Sequence, residues 1–99
     1  MRKSLRRSRR YILFFDPEGK AKEKFINLVS IMEKIFGTIS FSETGFKKIL
    51  IDDNFILIRC WKDKEDKIII SSAFLDLLFP IAITGTIKKA RRVMREWRA

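Results

Sequence analysis

Residues 9–15 read Arg-Arg-Tyr-Ile-Leu-Phe-Phe, with five bulky apolar residues in a row before Asp16-Pro17. Aromatic and β-branched residues favour extended backbone. Strand side chains alternate between faces, so an unbroken apolar run is apolar on both and belongs in the centre of a sheet. Asp16-Pro17-Glu18 then reads as a helix start. Asp16 supplies capping chemistry, Pro17 suits the first helical position, and Glu18 complements the helix dipole. Ala21, Phe25, Leu28, Val29, Met32, Ile35 and Phe36 recur at spacings of three and four, which predicts one apolar stripe on a helix from about Glu18 to Phe36. Gly37 is the expected stop, and Thr38–Thr44 reads as a loop with some extended character.

Gly45–Ile51 and Asn54–Lys62 are strand patterns, and Asp52-Asp53-Asn54 between them has the chemistry of a hairpin turn. In the second strand Ile56, Ile58 and Cys60 share one face, expected to be covered by helices. Phe55, Leu57, Arg59 and Trp61 share the other, so Arg59 and Trp61 look toward an open face. Residues 62–67 form a charged turn. Over residues 64–78 the run Ile68-Ile69-Ile70 favours a strand, whereas the spacing of Ile69, Ala73 and Leu77 allows a helix; we read a helix, stopped by Pro80, then a short strand Ile81–Thr84. The order is β-α-β-β-α-β plus a C-terminal helix. It predicts an α+β domain of split β-α-β layout, related to the ferredoxin and RRM arrangements, with an antiparallel sheet and two helices on one face. Ninety-nine residues suffice for one domain. Residues 1–8 read as a flexible basic arm and 9–99 as the folded unit.

Charge separates the ends from the body. The net charge is +10, from 22 Lys and Arg against 12 Asp and Glu. Residues 1–10 hold six cations and no acid, residues 86–99 hold six cations against Glu96, and the 75 residues between are almost neutral. Arg supplies nine of the twelve terminal cations and Lys nine of the ten in the body. Arg clusters suit phosphate because the planar guanidinium donates hydrogen bonds in pairs. Two Arg-rich ends on a neutral body point to nucleic acid. A membrane is the weaker expectation: the run Ala73–Ile83 is eleven residues, interrupted by Asp76 and Pro80, where a span needs about twenty.

Several chemistries are excluded. There is no His, which removes a Ser-His-Asp triad and His-ligated metals, and the lone Cys60 permits neither an internal disulfide nor a Cys cluster. Cys60 on an apolar strand reads as a core residue, and a free thiol fits a reducing, cytoplasmic setting. Only four Gly occur, in no phosphate-loop pattern. The carboxylates at 52–53 and 63–66 belong to turns and helix starts. No catalytic constellation is expected, and no cofactor on this chain.

The sharpest local pattern is Thr84-Gly85-Thr86-Ile87-Lys88. Gly85 is expected to allow a backbone conformation or close approach that a side chain forbids, and Thr86 to cap a helix over residues 87–98. At 100° per residue, Ile87, Ala90, Val93, Met94 and Trp97 fall within about 120°, and the cations occupy the opposite side. The helix N-terminus adds amide donors for phosphate. The candidate nucleic-acid-binding residues are therefore Arg6, Arg7, Arg9 and Arg10 at one end, Arg59 on the sheet, and Thr84, Gly85, Thr86, Lys88, Lys89, Arg91, Arg92, Arg95 and Arg98 at the other.

Three stretches of the chain resemble one family, the archaeal ribonuclease P protein component 2, counterpart of a small eukaryotic subunit shared by RNase P and RNase MRP. Arg9-Arg10-Tyr11-Ile12-Leu13-Phe14 resembles its basic-then-aliphatic first strand. Ile58-Arg59-Cys60 is similar to its hairpin-strand pattern. Ile83-Thr84-Gly85-Thr86-Ile87-Lys88-Lys89 is similar to its join to the basic last helix. The resemblance implies the split β-α-β fold and a subunit of the ribonucleoprotein that removes 5′ leaders from precursor tRNA. It also implies Mg²⁺-dependent chemistry carried by the RNA, and partnership with RNase P RNA, precursor tRNA and a larger barrel-like protein subunit. Family members usually have a longer connection before the Thr-Gly-Thr join; here only Phe79–Ile83 is available. Two rival readings share the pattern. One is a different RNA-binding module of the same layout, for which Phe55 and Trp61 are the candidate stacking residues. The other is a non-enzymatic assembly protein whose basic ends bind acidic partners.

Overall fold

The computed structural model describes residues 8–98. Arg6, Arg7 and nearly all of the expected basic arm lie outside the described residues. Four strands and three helices occur in the order β1 (Arg9–Phe15), α1 (Ala21–Glu43), β2 (Lys47–Ile51), β3 (Phe55–Trp61), α2 (Glu65–Ser72), β4 (Phe79–Thr84) and α3 (Ile87–Arg98). The strands form one open antiparallel sheet, β2-β3-β1-β4, so the domain is α+β. β1 lies inside the sheet, as its two-faced apolar run requires. It pairs along its whole length with β3, Arg9 opposite Trp61 through Phe15 opposite Phe55. On its other edge it pairs with β4, Tyr11 opposite Thr84 and Phe15 opposite Phe79.

Each face of the sheet carries its own core. Ile12, Phe14, Ile56, Ile58 and Cys60 pack against Ala21, Leu28 and Met32 of α1 and Ile68 of α2. Tyr11, Leu13, Phe55 and Leu57 on the opposite face pack against Ala90 and Met94 of α3. The first set is the helix-covered face read from the alternation in β3. The second face is not open as expected: the last helix lies on it, and Phe55 is buried beneath. Full burial of a large apolar side chain is worth about 1.5–3 kcal/mol, so the apolar stripe of α3 is what holds this helix to the sheet.

The helix boundaries differ from the reading of the spacing. α1 begins at Ala21, not Glu18. Asp16 is buried and accepts from the amides of Glu18 (2.9 Å) and Lys20 (2.6 Å) and from Lys24 Nζ (2.6 Å), which organises a turn ahead of the helix. Gly37 does interrupt the helix, with φ 82° and ψ 163°, but a second helical segment continues to Glu43 where a loop was expected. Among the described residues α1, not Ala73–Ile83, is long and apolar enough to cross a membrane by length and composition, with mean hydropathy 1.2 over eighteen residues. In this fold it lays Ala21, Leu28 and Met32 on the sheet. α2 is a helix, as read, but ends at Ser72, well before Pro80. Pro80 instead sits inside β4, an edge strand, beside the register shift between Leu13 and Phe14. An edge position tolerates proline because the missing N–H is not needed by a second neighbour.

Candidate nucleic-acid interface

The join between β4 and α3 is built from its own hydroxyls. Thr86 Oγ1 accepts from the Lys89 amide (3.2 Å), which is the expected N-cap, and the Ala90 amide donates to the Thr86 carbonyl (3.3 Å). Thr84 Oγ1 donates to the same carbonyl (2.8 Å). The two threonines thus set the angle at which α3 leaves the sheet. Gly85 does not have the role expected of it. Its φ lies outside the left-handed region, and a Cβ there meets only Arg10 Nη1, at 3.8 Å. That contact is nevertheless informative, because it places the Arg10 guanidinium beside the join. Arg10 also approaches Glu65, with Nε 4.0 Å from the carboxylate, so part of its charge is answered within the fold.

α3 presents its cations outward because its apolar stripe is used. Lys88, Lys89, Arg91, Arg92 and Arg95 are exposed, while Ala90 and Met94 are buried. Thr86, Lys88, Lys89, Arg92 and Arg95 line a groove of about 450 Å³ along the outer face. A second cleft of about 260 Å³ runs between Arg91, Arg95 and Arg98 of the helix and Leu50 of β2, with Met94 in its wall. Arg98 differs from the rest. It forms an ion pair with Asp52 in the β2–β3 turn and places its guanidinium over the Phe55 ring at 5.1 Å. Together with Trp97, whose ring lies 5.0 Å from Phe15, it fastens the far end of α3 to the sheet.

Arg9 and Arg59 belong to a second cluster. They lie on the α3 side of the sheet, toward the end where β1 and β3 meet α1 and β2. Arg9 stands opposite Trp61, Tyr11 opposite Arg59, and Lys47 opposite Arg59 on the other side. Both guanidiniums sit over the Trp61 ring, Arg9 at 5.9 Å and Arg59 at 5.8 Å. The indole is seated on Gly45, which has φ +70°; a Cβ there would come within 2.4 Å of Trp61 Nε1. The alternation in β3 placed Arg59 and Trp61 on this face correctly. It missed Gly45 and Lys47, whose roles depend on partners well removed in sequence, and it offered Phe55 for stacking, which is buried.

The sequence-derived candidates therefore separate into two groups. Thr84, Gly85, Thr86 and the exposed cations of α3 lie together at and beyond the join, whereas Arg10 leaves β1 toward Glu65 of α2 and reaches only Gly85. Arg9 and Arg59 share the sheet end with Trp61 and Lys47, and Arg98 is held by Asp52. Among the described residues no group of three His, Cys, Asp or Glu side chains could hold a metal ion. Cys60 is buried; burial, reinforced by Glu65 and partly offset by Arg10, pushes its thiol up to about 11. The chain matches no protein-family model and no curated protein.

Proposed function

We propose that this chain is an RNA-binding subunit of a ribonuclease P-type ribonucleoprotein, supporting the RNA that removes 5′ leaders from precursor tRNA. The observation that carries the reading is α3: a helix fixed to the sheet through one face, with Lys88, Lys89, Arg91, Arg92 and Arg95 on the other and Arg10 beside its start. A cationic face held rigidly on a domain meets the phosphates of a folded RNA without first having to be ordered, and each guanidinium donates to phosphate oxygens in pairs. The element order and the sheet order β2-β3-β1-β4 support the finer reading of the fold as the split β-α-β layout with an added helix. Under this proposal the cleavage chemistry and its Mg²⁺ belong to the RNA, and this chain positions it. A larger protein partner would cover apolar surface left outside both cores, such as Ile39 (78% exposed), Phe74 (66%) and Phe79 (47%).

The test is reconstitution of precursor-tRNA cleavage with and without the chain, beside RNA binding from about 50 to 200 mM salt. Arg91→Ala with Arg95→Ala should keep stability within about 1 kcal/mol, since exposed charges contribute little. The same pair should weaken RNA binding and reduce the slope of log affinity against log salt by about 2. RNA affinity that ignores salt, or cleavage indifferent to the chain, refutes the proposal.

A further inference from the structure

We propose that the free edge of β2 docks an extended protein segment in which acidic and apolar residues are interleaved, taken up as a further strand of the sheet. The inference goes beyond the RNA-binding reading and does not rest on it. The residues that decide it, Lys22 and Lys48, belong to the α1 side of the sheet, away from α3.

Three observations converge. First, the edge is open. β2 stands last in the order β2-β3-β1-β4 and pairs only with β3. The backbone groups on its outer side have no partner among the described residues. The other edge strand, β4, contains Pro80, which has no N–H to offer a neighbour; β2 contains no proline. An unpaired strand edge is a template for another strand.

Second, a cleft lies along each side of this edge. On the α1 side a cleft of about 530 Å³ is lined by Phe25 and Ile26 of α1 and Ile49 and Ile51 of β2, with Lys22 and Lys48 beside them. Ile26 is strongly exposed there. On the α3 side lies the cleft of about 260 Å³ between Leu50 and Met94, bordered by Arg91 and Arg95. Leu50 lines both, so the two clefts meet across the strand edge. Side chains of an added strand alternate between faces, so successive residues enter one cleft and then the other. The walls are already set: Phe25 stacks on Phe46 at 5.7 Å, and the Arg98–Asp52 pair ties α3 to the β2–β3 turn. A preformed site loses little affinity to ordering.

Third, the clefts carry charge of one sign. Among the described residues no carboxylate lines either cleft, and Lys22, Lys48, Arg91 and Arg95 form no ion pair. Lysines on an edge strand discourage indiscriminate pairing. Here they repel a second copy of the chain, whose β2 carries the same Lys47 and Lys48 and whose net charge is +10. They accept a strand that brings carboxylates, and so select the partner by charge. RNA would answer the cations but leave the strand edge unpaired and the isoleucines uncovered. A segment of alternating acidic and apolar character answers all three.

The probe is a fluorescein-labelled octapeptide repeating Val-Val-Glu-Glu, which puts both residue types on each side of a strand. It is titrated against the full chain by anisotropy and by backbone amide NMR. It should bind, with shifts centred on β2 and slowed exchange of the outward β2 amides. Replacing each Val by Ser at unchanged charge should weaken it about tenfold. Lys22→Glu with Lys48→Glu should also weaken it about tenfold, as expected when two exposed ion pairs are reversed. That variant should in turn take up a Val-Val-Lys-Lys peptide that the parent rejects. Both lysines are exposed; should the double variant lose its circular dichroism signal, Lys22→Gln with Lys48→Gln carries the test and should weaken the acidic peptide several-fold. A single-stranded hexaribonucleotide should bind parent and variants equally. No binding of the acidic peptide, indifference to the Val-to-Ser change, or shifts confined to α3 overturn the site. Loss of hexaribonucleotide binding in the Lys22 and Lys48 variants assigns the clefts to RNA and overturns it too. Failure of the α3 test of RNA binding leaves this proposal standing, and the reverse holds.

Discussion

Two glycines make opposite predictions from similar surroundings in sequence. Gly45 and Gly85 both precede a regular element and both come directly after a threonine. At Gly45 the backbone is left-handed, φ +70°, which costs a residue with a Cβ about 1–2 kcal/mol. The added carbon would stand 2.4 Å from Trp61 Nε1 and 2.6 Å from Cδ1 and Cε2. Contact distance is about 3.5–4.0 Å, so the indole must move by an ångström or more, and overpacking of that kind costs about 1–3 kcal/mol. Alanine also stiffens the unfolded chain, returning about 0.4–1 kcal/mol. The expected net effect of Gly45→Ala is a loss of about 2–4 kcal/mol. At Gly85 the Cβ finds only Arg10 Nη1 at 3.8 Å and no positive φ, so Gly85→Ala should lie between neutral and about 1 kcal/mol stabilising. Urea denaturation with a common m-value measures both, and thermal midpoints should separate the two variants by roughly 8–40 °C at about 4–8 °C per kcal/mol. Adding Trp61→Leu to Gly45→Ala removes the steric part only, so the pair should be non-additive by about 1–3 kcal/mol. Equal costs at the two glycines, or a larger one at Gly85, would refute the reasoning.

Two further predictions concern buried chemistry. Burial pushes the Asp16 carboxyl up, but hydrogen bonds from Lys24 and from the Glu18 and Lys20 amides, with the Lys24 charge, outweigh it and hold it below the usual carboxylate range. Burial likewise lowers Lys24, and its bonds to Asp16 and Glu18 (2.8 Å) more than restore it, so its ammonium is held above its ordinary value. Stability from Asp16 is therefore complete above about pH 4 and lost as pH falls through its lowered folded value, while that from Lys24 is complete below about pH 10 and lost as pH rises through its raised one. Asp16→Ala should cost about 3 kcal/mol and flatten the acid limb of a stability–pH profile measured by denaturation; an unchanged limb would mean another group controls it. Cys60, buried with a thiol at about 11, should resist a disulfide reagent at pH 8 and react at once in denaturant; rapid reaction of the native protein would place it near the surface.

What the spacing revealed and what it hid have physical reasons. The centre of the sheet, the β2–β3 hairpin and the cap and stripe of α3 were legible because each depends on neighbours within a few positions. The reach of α1 past Gly37 was not, since one glycine stops a helix locally but says nothing of whether helix resumes. Ile39 is strongly exposed and gives no apolar rhythm to extend. α2 was overextended because Ala73 and Leu77 continue the spacing from Ile69 although both are exposed. Gly85 stands out in the sequence because Thr-Gly-Thr is a visible local pattern. The glycine with a steric duty was Gly45, whose reason is an indole sixteen positions away. Arg98 had the same appearance as the other cations of α3; its tie to Asp52 depends on where the helix docks. Lys47 likewise gains meaning only opposite Arg59.

The placement of β1 also governs how the chain is completed. β1 is the first of the described strands, yet its partner on one edge begins at Phe55 and on the other at Phe79. Closing loops of that length must precede any gain from the pairing, which makes such contacts late and folding slow relative to helical proteins of this size. During synthesis the apolar run from Tyr11 to Phe15 emerges first and stays without a second edge until residues 79–84 have cleared the ribosome, and without its α3 cover until some ten residues more. Over that interval it is an extended, uncharged, aggregation-prone segment. The cluster of arginines directly ahead of it then acts as a gatekeeper, keeping nascent chains apart by repulsion before there is a fold to protect them.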